Sequence, residues 1–284
     1  MARSNTLEKQ KKIVGFFYTP KQLDEHRLTL KAMHYGVSSR EKSFIKYDSE
    51  YEWCDVSVNW GIYKKHLPYT ETRQVIHDWQ EINGNKAIVI ESGYIKRDRY
   101  YSVGYGGLNG RADFNNKDCP PDRWKELGVD LKDYRSQGEH ILLCGQVPWD
   151  ASVQHVDYTR WCTDTVEAIK NRTDRPIVFR PHPKAPIGAK LSGVKMSEAP
   201  SIKEDFKDCW GVVAFNSNSL VEAAIEGLPV FACDEGAMSL DISNSIIDLE
   251  TPKFYNREQW AYNLAYAQWT REEMARGLPW NHLT

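Results

Sequence analysis

The run Gly211-Val212-Val213-Ala214-Phe215-Asn216-Ser217-Asn218-Ser219-Leu220-Val221-Glu222 decides the fold class. Its first five residues read as a buried strand, and the polar quartet that follows runs straight into a helix predicted over 219–226. Ser219 and Glu222 have the spacing of a capping box at that helix start. Another apolar strand follows at once in Pro229-Val230-Phe231-Ala232-Cys233. A strand, a helix and a second strand at this spacing form a crossover unit of a parallel sheet.

The same alternation runs upstream. Ile141-Leu142-Leu143-Cys144-Gly145-Gln146 reads as a strand, residues 158–171 as a helix, and Ile177-Val178-Phe179-Arg180 as a strand. In the first half, Ile13–Tyr18 forms a strand closed by Thr19-Pro20, with a helix over 21–34 after it. A strand follows at 55–60. A helix is predicted over 70–82, with Thr70 as N-cap and Val75, Trp79 and Ile82 at helical spacing. Lys86–Glu91 then delivers Glu91 to a strand's carboxyl end. Residues 92–138 carry Gly104, Gly106, Gly107, Gly110, Pro120 and Pro121 with few apolar runs, and read as a functional excursion plus a link. The closing segment 257–275 has helical periodicity. At 284 residues the chain divides naturally into two α/β halves, each with a parallel sheet.

Composition narrows the function classes. A formal net charge of −2 gives no global basic field to draw the protein onto nucleic acid or an anionic membrane. The basic start (Arg3, Lys9, Lys11, Lys12) reads as a solvated terminus. Six cysteines lie scattered without a C-x-x-C pair, which argues against a zinc site or disulfide framework and fits a reducing cytosol. No apolar run approaches the roughly 20 residues of a membrane span, and the start lacks the apolar core of an export signal. The expectation is a cytoplasmic protein without membrane partners. Ten Trp and fifteen Tyr are read as partly buried packing.

Ligands of open parallel sheets bind beyond the carboxyl ends of strands. Three segments place polar groups there. The helix start at Asn216–Ser219 offers free N–H groups to a phosphate, with hydroxyls from Ser217 and Ser219. In Arg180-Pro181-His182-Pro183, two prolines hold the His182 imidazole where it can donate to a phosphate oxygen, and Arg180 can add a charge-assisted bond. Gly145-Gln146-Val147-Pro148-Trp149-Asp150 places Gln146 and Asp150 at a third strand end. Each segment taken alone is also readable as an ordinary cap, turn or structural histidine.

Taken in order, Glu91-Ser92-Gly93-Tyr94, Gly145-Gln146-Val147 with Asp150-Ala151-Ser152, Arg180-Pro181-His182-Pro183, and Ser219-x-x-Glu222 with Gly227-x-Pro229-Val230 resemble the capsule-polysaccharide-synthesis family. Its bacterial members include transferases of the acidic sugar Kdo, and the resemblance spans about residues 55–235. It implies a GT-B fold: two Rossmann-like domains whose parallel sheets face a central cleft. An acceptor-binding domain would occupy 1–138 and a nucleotide-sugar domain 139–256, with a helix in 257–284 crossing back. It implies a glycosyltransferase with a nucleotide sugar, UDP-linked, as co-substrate and no resident metal or cofactor. His182 matches the histidine that contacts donor phosphate, and Ser219 and Glu222 the segment that binds phosphate and ribose. Gln146, Arg180, Ser217 and Asn218 complete the expected donor site. Glu91 matches the first residue of the family's Glu-Asp-Gly-Phe motif. Ser92 stands where the family has its second acid, which leaves the base open among Glu91, Asp98 and Asp150.

Gly104–Phe114 is not a phosphate loop, because no Gly-Lys-Ser/Thr follows. It reads either as an acceptor loop presenting Tyr105, Asn109 and Arg111, or as a flexible linker. In length, and in this stretch, the chain is also similar to compact phage and metagenomic transferases that glycosylate 5-hydroxymethylcytosine in DNA. For that acceptor, Arg97, Arg99, Tyr100, Tyr101, Arg111 and Arg123 would supply phosphate contacts and stacking. The alternatives are a surface or capsular glycan as acceptor, polyol-phosphate transfer from a CDP-linked donor, and a non-catalytic nucleotide-sugar-binding protein.

Overall fold

The structure is a computed structural model and describes residues 10–19, 21–47, 50–185 and 191–284. Arg3, Lys9 and Pro20 lie outside these residues. The first half contains β1 (Ile13–Phe17), α1 (Asp24–Ser38), β2 (Lys42–Lys46), β3 (Val56–Trp60), α2 (Glu71–Ile82), β4 (Lys86–Ser92), β5 (Tyr101–Tyr105) and α3 (Asp122–Leu127). The second contains β6 (His140–Cys144), α4 (Tyr158–Lys170), β7 (Ile177–Arg180), β8 (Lys195–Met196), α5 (Ile202–Asp205), β9 (Cys209–Ala214), α6 (Ser219–Ile225), β10 (Val230–Ala232) and α7 (Glu258–Tyr266). The chain closes with β11 (Gln268–Trp269), α8 (Arg271–Ala275) and α9 (Leu278–Leu283).

The first sheet has the order β11-β5-β4-β3-β1-β2 and the second β10-β9-β6-β7-β8. Strands β2, β1, β3 and β4 are mutually parallel, as is the whole second sheet. Central strands β3 and β9 are buried at every position, as expected of parallel strands covered on both faces. The predicted strands all form, within a residue or two of their expected ends.

Helix α2 presents a different face to the core from the expected one. Val75, Trp79 and Ile82 are 39%, 47% and 74% exposed, whereas Thr72, Arg73, Ile76 and Gln80 are buried. Polar bonds set this rotation: Gln80 donates to the Lys86 carbonyl at 2.8 Å and accepts from the Tyr51 hydroxyl at 2.8 Å. Its buried amide is thereby satisfied, which removes the cost of facing inward. Thr70 does not cap the helix with its side chain; its hydroxyl donates to the Leu67 carbonyl.

The 92–138 excursion is more ordered than its composition suggests. It holds β5, which pairs antiparallel with β4, and α3. Gly104 serves close approach: a Cβ there would lie 2.6 Å from the Phe114 ring. The closing segment is not one helix either. It breaks after α7, and β11 pairs with β5. Trp260, Ala261 and Leu264 pack in the core beside β6 and β9, while Trp269, Met274, Trp280 and Leu283 pack with β1, β3 and β4. The break is held by Gln268, fully buried, whose Oε1 accepts the Tyr94 and Ile95 N–H groups at 2.8 and 3.0 Å. Beyond it, Thr270 and Glu273 form a capping box for α8.

Candidate active site

The carboxyl ends of β4, β6, β7 and β9 open on a cleft of about 590 Å³ between the two sheets. Of the residues expected at a site, the structure brings Glu91, Arg97 and Asn109 from the first half together with Gln146, Asp150, Arg180, His182, Ser217, Asn218, Ser219 and Glu222 from the second. Ser92 lines it too.

His182 follows β7 directly. Its Nδ1 accepts the Lys184 backbone N–H at 3.1 Å, so the proton of the neutral ring sits on Nε2. Burial, then the neighbouring Lys184, holds its pKa below the ordinary 6.5, against the opposing pull of Asp150. The side chain is therefore a neutral N–H donor at pH 7.

The wall opposite Tyr94 comes from the start of α6. Asn218 precedes the helix, and its Nδ2 donates to the Tyr94 carbonyl at 3.1 Å and to Glu222 Oε1 at 3.3 Å. The expected capping box of Ser219 and Glu222 does not form. Ser219 is already the first helical residue, so Glu222 meets the Asn218 side chain instead. Among the described residues Asn218 Oδ1 is buried with no hydrogen-bond partner, an unusual arrangement for a native polar group, while the Ser219 side chain meets the buried Cys144 thiol. Ser217 Oγ accepts the Ser219 N–H at 3.2 Å.

Several expected contacts are corrected by their bonding. Gln146 is a brace: its Nε2 donates to Asn216 Oδ1 at 2.8 Å and its Oε1 accepts the Asn216 N–H at 3.0 Å. Arg180 uses Nη1 on Asp205 at 2.5 Å and on the Ala199 carbonyl at 3.1 Å, so its charge is already matched. Asp98 is exposed and does not line the cleft, although its neighbour Arg97 does. Tyr105 is buried in β5, its hydroxyl donating to the Leu283 carbonyl at 3.4 Å, and it faces the core rather than any acceptor. Arg111 holds Asp234 with both Nη1 and Nη2, at 2.7 and 2.8 Å. Of the residues expected to grip a duplex, Tyr101 donates to Glu25, and Arg123 pairs with Glu273 while stacking 3.8 Å over Trp269.

The carboxylates now separate. Asp150 accepts the Ser152 N–H at 3.0 Å and hydroxyl at 2.9 Å, with Lys64 at 3.7 Å. Burial raises its pKa, but these contacts outweigh it and hold the carboxyl below its ordinary value. Such a carboxylate is a weak base. Among the described residues, Glu91, half-buried at the end of β4, accepts the adjacent Ser92 N–H at 3.1 Å, and its charge acts on Arg73 across Gly61. Its Oε2 faces Gly61, where a Cβ would come within 3.1 Å of it.

Sequence reasoning missed Asp234, Asn216 as a brace, and Lys64. Asp234 stands just past β10, so the strand-end rule that selected His182 would also have selected it. Lys64 carried no signal. Among the described residues, His77, Asp78 and Glu81 hold possible metal-ligand atoms within 4.8 Å of one another, but Asp78 and Glu81 are exposed and none of the three lines the cleft. Among the same residues no helix is long and apolar enough to cross a membrane.

The sequence matches no protein-family profile and no curated protein. Among solved structures, the beta Kdo 2,7 transferase KpsC of Thermosulfurimonas dismutans superposes with a TM-score of 0.56 at 13% identity, covering 94% of this chain and 99% of that one. UDP-GlcNAc 2-epimerase of Methanocaldococcus jannaschii aligns over 94% of this chain and 99% of its own at 12% identity, with a TM-score of 0.36. The likeness to the first, with two sheets each built around parallel strands, makes the fold GT-B-like.

Proposed function

We propose that the chain is a nucleotide-sugar-dependent glycosyltransferase that uses a UDP-linked donor. The observation that carries this reading is the cleft itself: His182, Ser217, Ser219 and the buried, unbonded Asn218 Oδ1 on its second-half side, with Glu91 on the other. The second-half wall receives the nucleotide and diphosphate. His182 donates through Nε2–H to a phosphate oxygen and stabilises the charge that builds on the departing nucleoside diphosphate. The acceptor oxygen attacks the anomeric carbon, the bond from that carbon to the phosphate oxygen breaks, and the acceptor proton passes to Glu91. Asp150, with its carboxyl already held ionised by Ser152 and Lys64, serves positioning instead.

For the acceptor, the commitment of Arg111 and Arg123 to Asp234 and Glu273 favours a glycan hydroxyl over 5-hydroxymethylcytosine in duplex DNA. Both are tested in one assay. The protein is incubated with a pool of UDP-sugars and either hydroxymethylated DNA or oligosaccharide acceptors, and products are read by mass spectrometry. A sugar-sized gain on either acceptor supports the reading. Neither transfer nor donor hydrolysis, with nucleotide binding intact, leaves a nucleotide-sugar-binding protein without turnover.

A further inference from the structure

A second chamber of about 250 Å³ adjoins the cleft, and Leu108, Asn109, Ser152 and Asn216 belong to the walls of both. Arg73 of α2 lines it and is only 7% exposed. Its guanidinium donates to two neutral oxygens, from Nη1 to the Ile62 carbonyl at 3.2 Å and from Nη2 to Thr19 Oγ1 at 3.3 Å. Among the described residues Nε is buried with no hydrogen-bond partner and no carboxylate is in ion-pair contact with this cation, although the Glu91 charge acts on it from across Gly61.

The other arginines of low exposure are answered differently. Arg123 has Glu273 and Arg180 has Asp205. Arg257 lacks a carboxylate but stacks 3.9 Å over Tyr134 and holds the Ala224 and Lys132 carbonyls. A guanidinium buried with its Nε unbonded and no carboxylate in contact is costly, and an entering oxyanion would reduce that cost. Three other donors on the chamber wall are already committed: Gln74 to Asp78 at 2.7 Å, Asn216 to Asp234 at 2.7 Å, and Arg111 to Asp234.

We infer that this chamber is the acceptor subsite and that it takes an acceptor bearing a carboxylate or phosphate group, held by Arg73. The inference rests on the glycosyltransferase reading, which supplies the donor next door. Its volume is below the roughly 300–1,000 Å³ of sites for drug-sized ligands, and suits one sugar ring with its acid group. The planar fork of arginine matches either oxyanion in a two-bond geometry. The shared wall at Asn109 and Ser152 gives a hydroxyl on that ring a route toward the cleft.

The test is titration calorimetry on the whole chain with glucuronate, glucose 6-phosphate and neutral glucose, and with UDP in parallel. At least one acid sugar is expected to bind tenfold or more tightly than glucose, and the ratio of the two acids distinguishes carboxylate from phosphate. Arg73→Met should abolish that preference and leave UDP affinity unchanged. Because a buried arginine can matter for folding, Arg73→Lys is the second variant: it keeps the charge on the chamber wall but loses the two-bond fork, and should weaken acid-sugar binding at least fivefold at a Tm close to that of the wild type. Equal binding of glucose and both acids, or an acid preference that survives in both variants, overturns the inference. Loss of UDP binding with the acid preference intact overturns the glycosyltransferase reading instead, while the anion-binding chamber stands.

Discussion

Arg111 and Asp234 meet as a two-bond ion pair, Nη1 to Oδ1 at 2.7 Å and Nη2 to Oδ2 at 2.8 Å, and so tie the loop after β5 to the loop after β10. Asp234 also accepts Asn216 Nδ2 at 2.7 Å and the Gly236 N–H at 3.0 Å. The pair therefore continues through Asn216 to Gln146, joining the two halves along one side of the cleft. Asp234→Ala should destabilise the protein by roughly 1–3 kcal/mol in urea unfolding, because it removes the two-bond partner of Arg111 and one of the two acceptors of Asn216 Nδ2. A loss under 0.5 kcal/mol would show the bridge to be a surface pair of little consequence.

The same carboxyl makes a pH prediction. Burial raises the Asp234 pKa, but Arg111, Asn216 and the Gly236 N–H hold it down at about 2. The unfolded chain takes up a proton near pH 3.8 and the folded one resists until about 2. Its contribution of about 2 kcal/mol is therefore complete above pH 4 and lost as pH falls from 4 to 2. Stability curves of wild type and Asp234→Asn should converge across that window.

A histidine acts at higher pH. His26 stacks on Trp60 with ring centroids 3.9 Å apart, and burial, followed by Arg73, lowers its pKa to about 4. The unfolded chain binds the proton near 6.5, so stability falls as pH drops from 6.5 to 4, by on the order of 2 kcal/mol. His26→Asn should flatten that part of the profile in thermal melts. An unchanged slope would mean that other groups carry it.

Transfer should separate the two carboxylates of the cleft. Glu91→Gln is expected to reduce kcat by 10²–10⁴, the usual worth of a general base, with UDP affinity unchanged. Asp150→Asn should cost less than tenfold in kcat. The reverse ranking would assign the base to Asp150.

His182→Ala should lower kcat by roughly 10²–10³, as removal of a donor to developing charge does elsewhere. Because the ring is already neutral at pH 7, the wild-type rate should not fall as pH rises from 7 to 8 through loss of a His182 proton. A rate that drops with a midpoint in that range, and does so only when His182 is present, would require the charged ring.

How much of this was legible in the sequence follows from the range of the forces involved. The strand at 211–215, the histidine between prolines and the order of the strand–helix units determined the α/β class and which polar groups stand at the carboxyl ends of the strands. Apolar run length and proline placement are local, and a parallel sheet has one ligand-bearing edge. The tertiary structure alone decided which strand-end groups remain free. Gln146 and Arg180 have the chemistry to hold a donor, but Asn216 and Asp205, distant in sequence, take up their bonds. Periodicity selected Val75, Trp79 and Ile82 for the buried face of α2, yet bonds made by Gln80 to Tyr51 and Lys86 turned Arg73 inward instead. The sheet and crossover around Gly211–Glu222 stand as read, but the capping box inside it does not. A side-chain bond between Asn218 and Tyr94, across the two halves, fixed that helix start after local spacing had offered another.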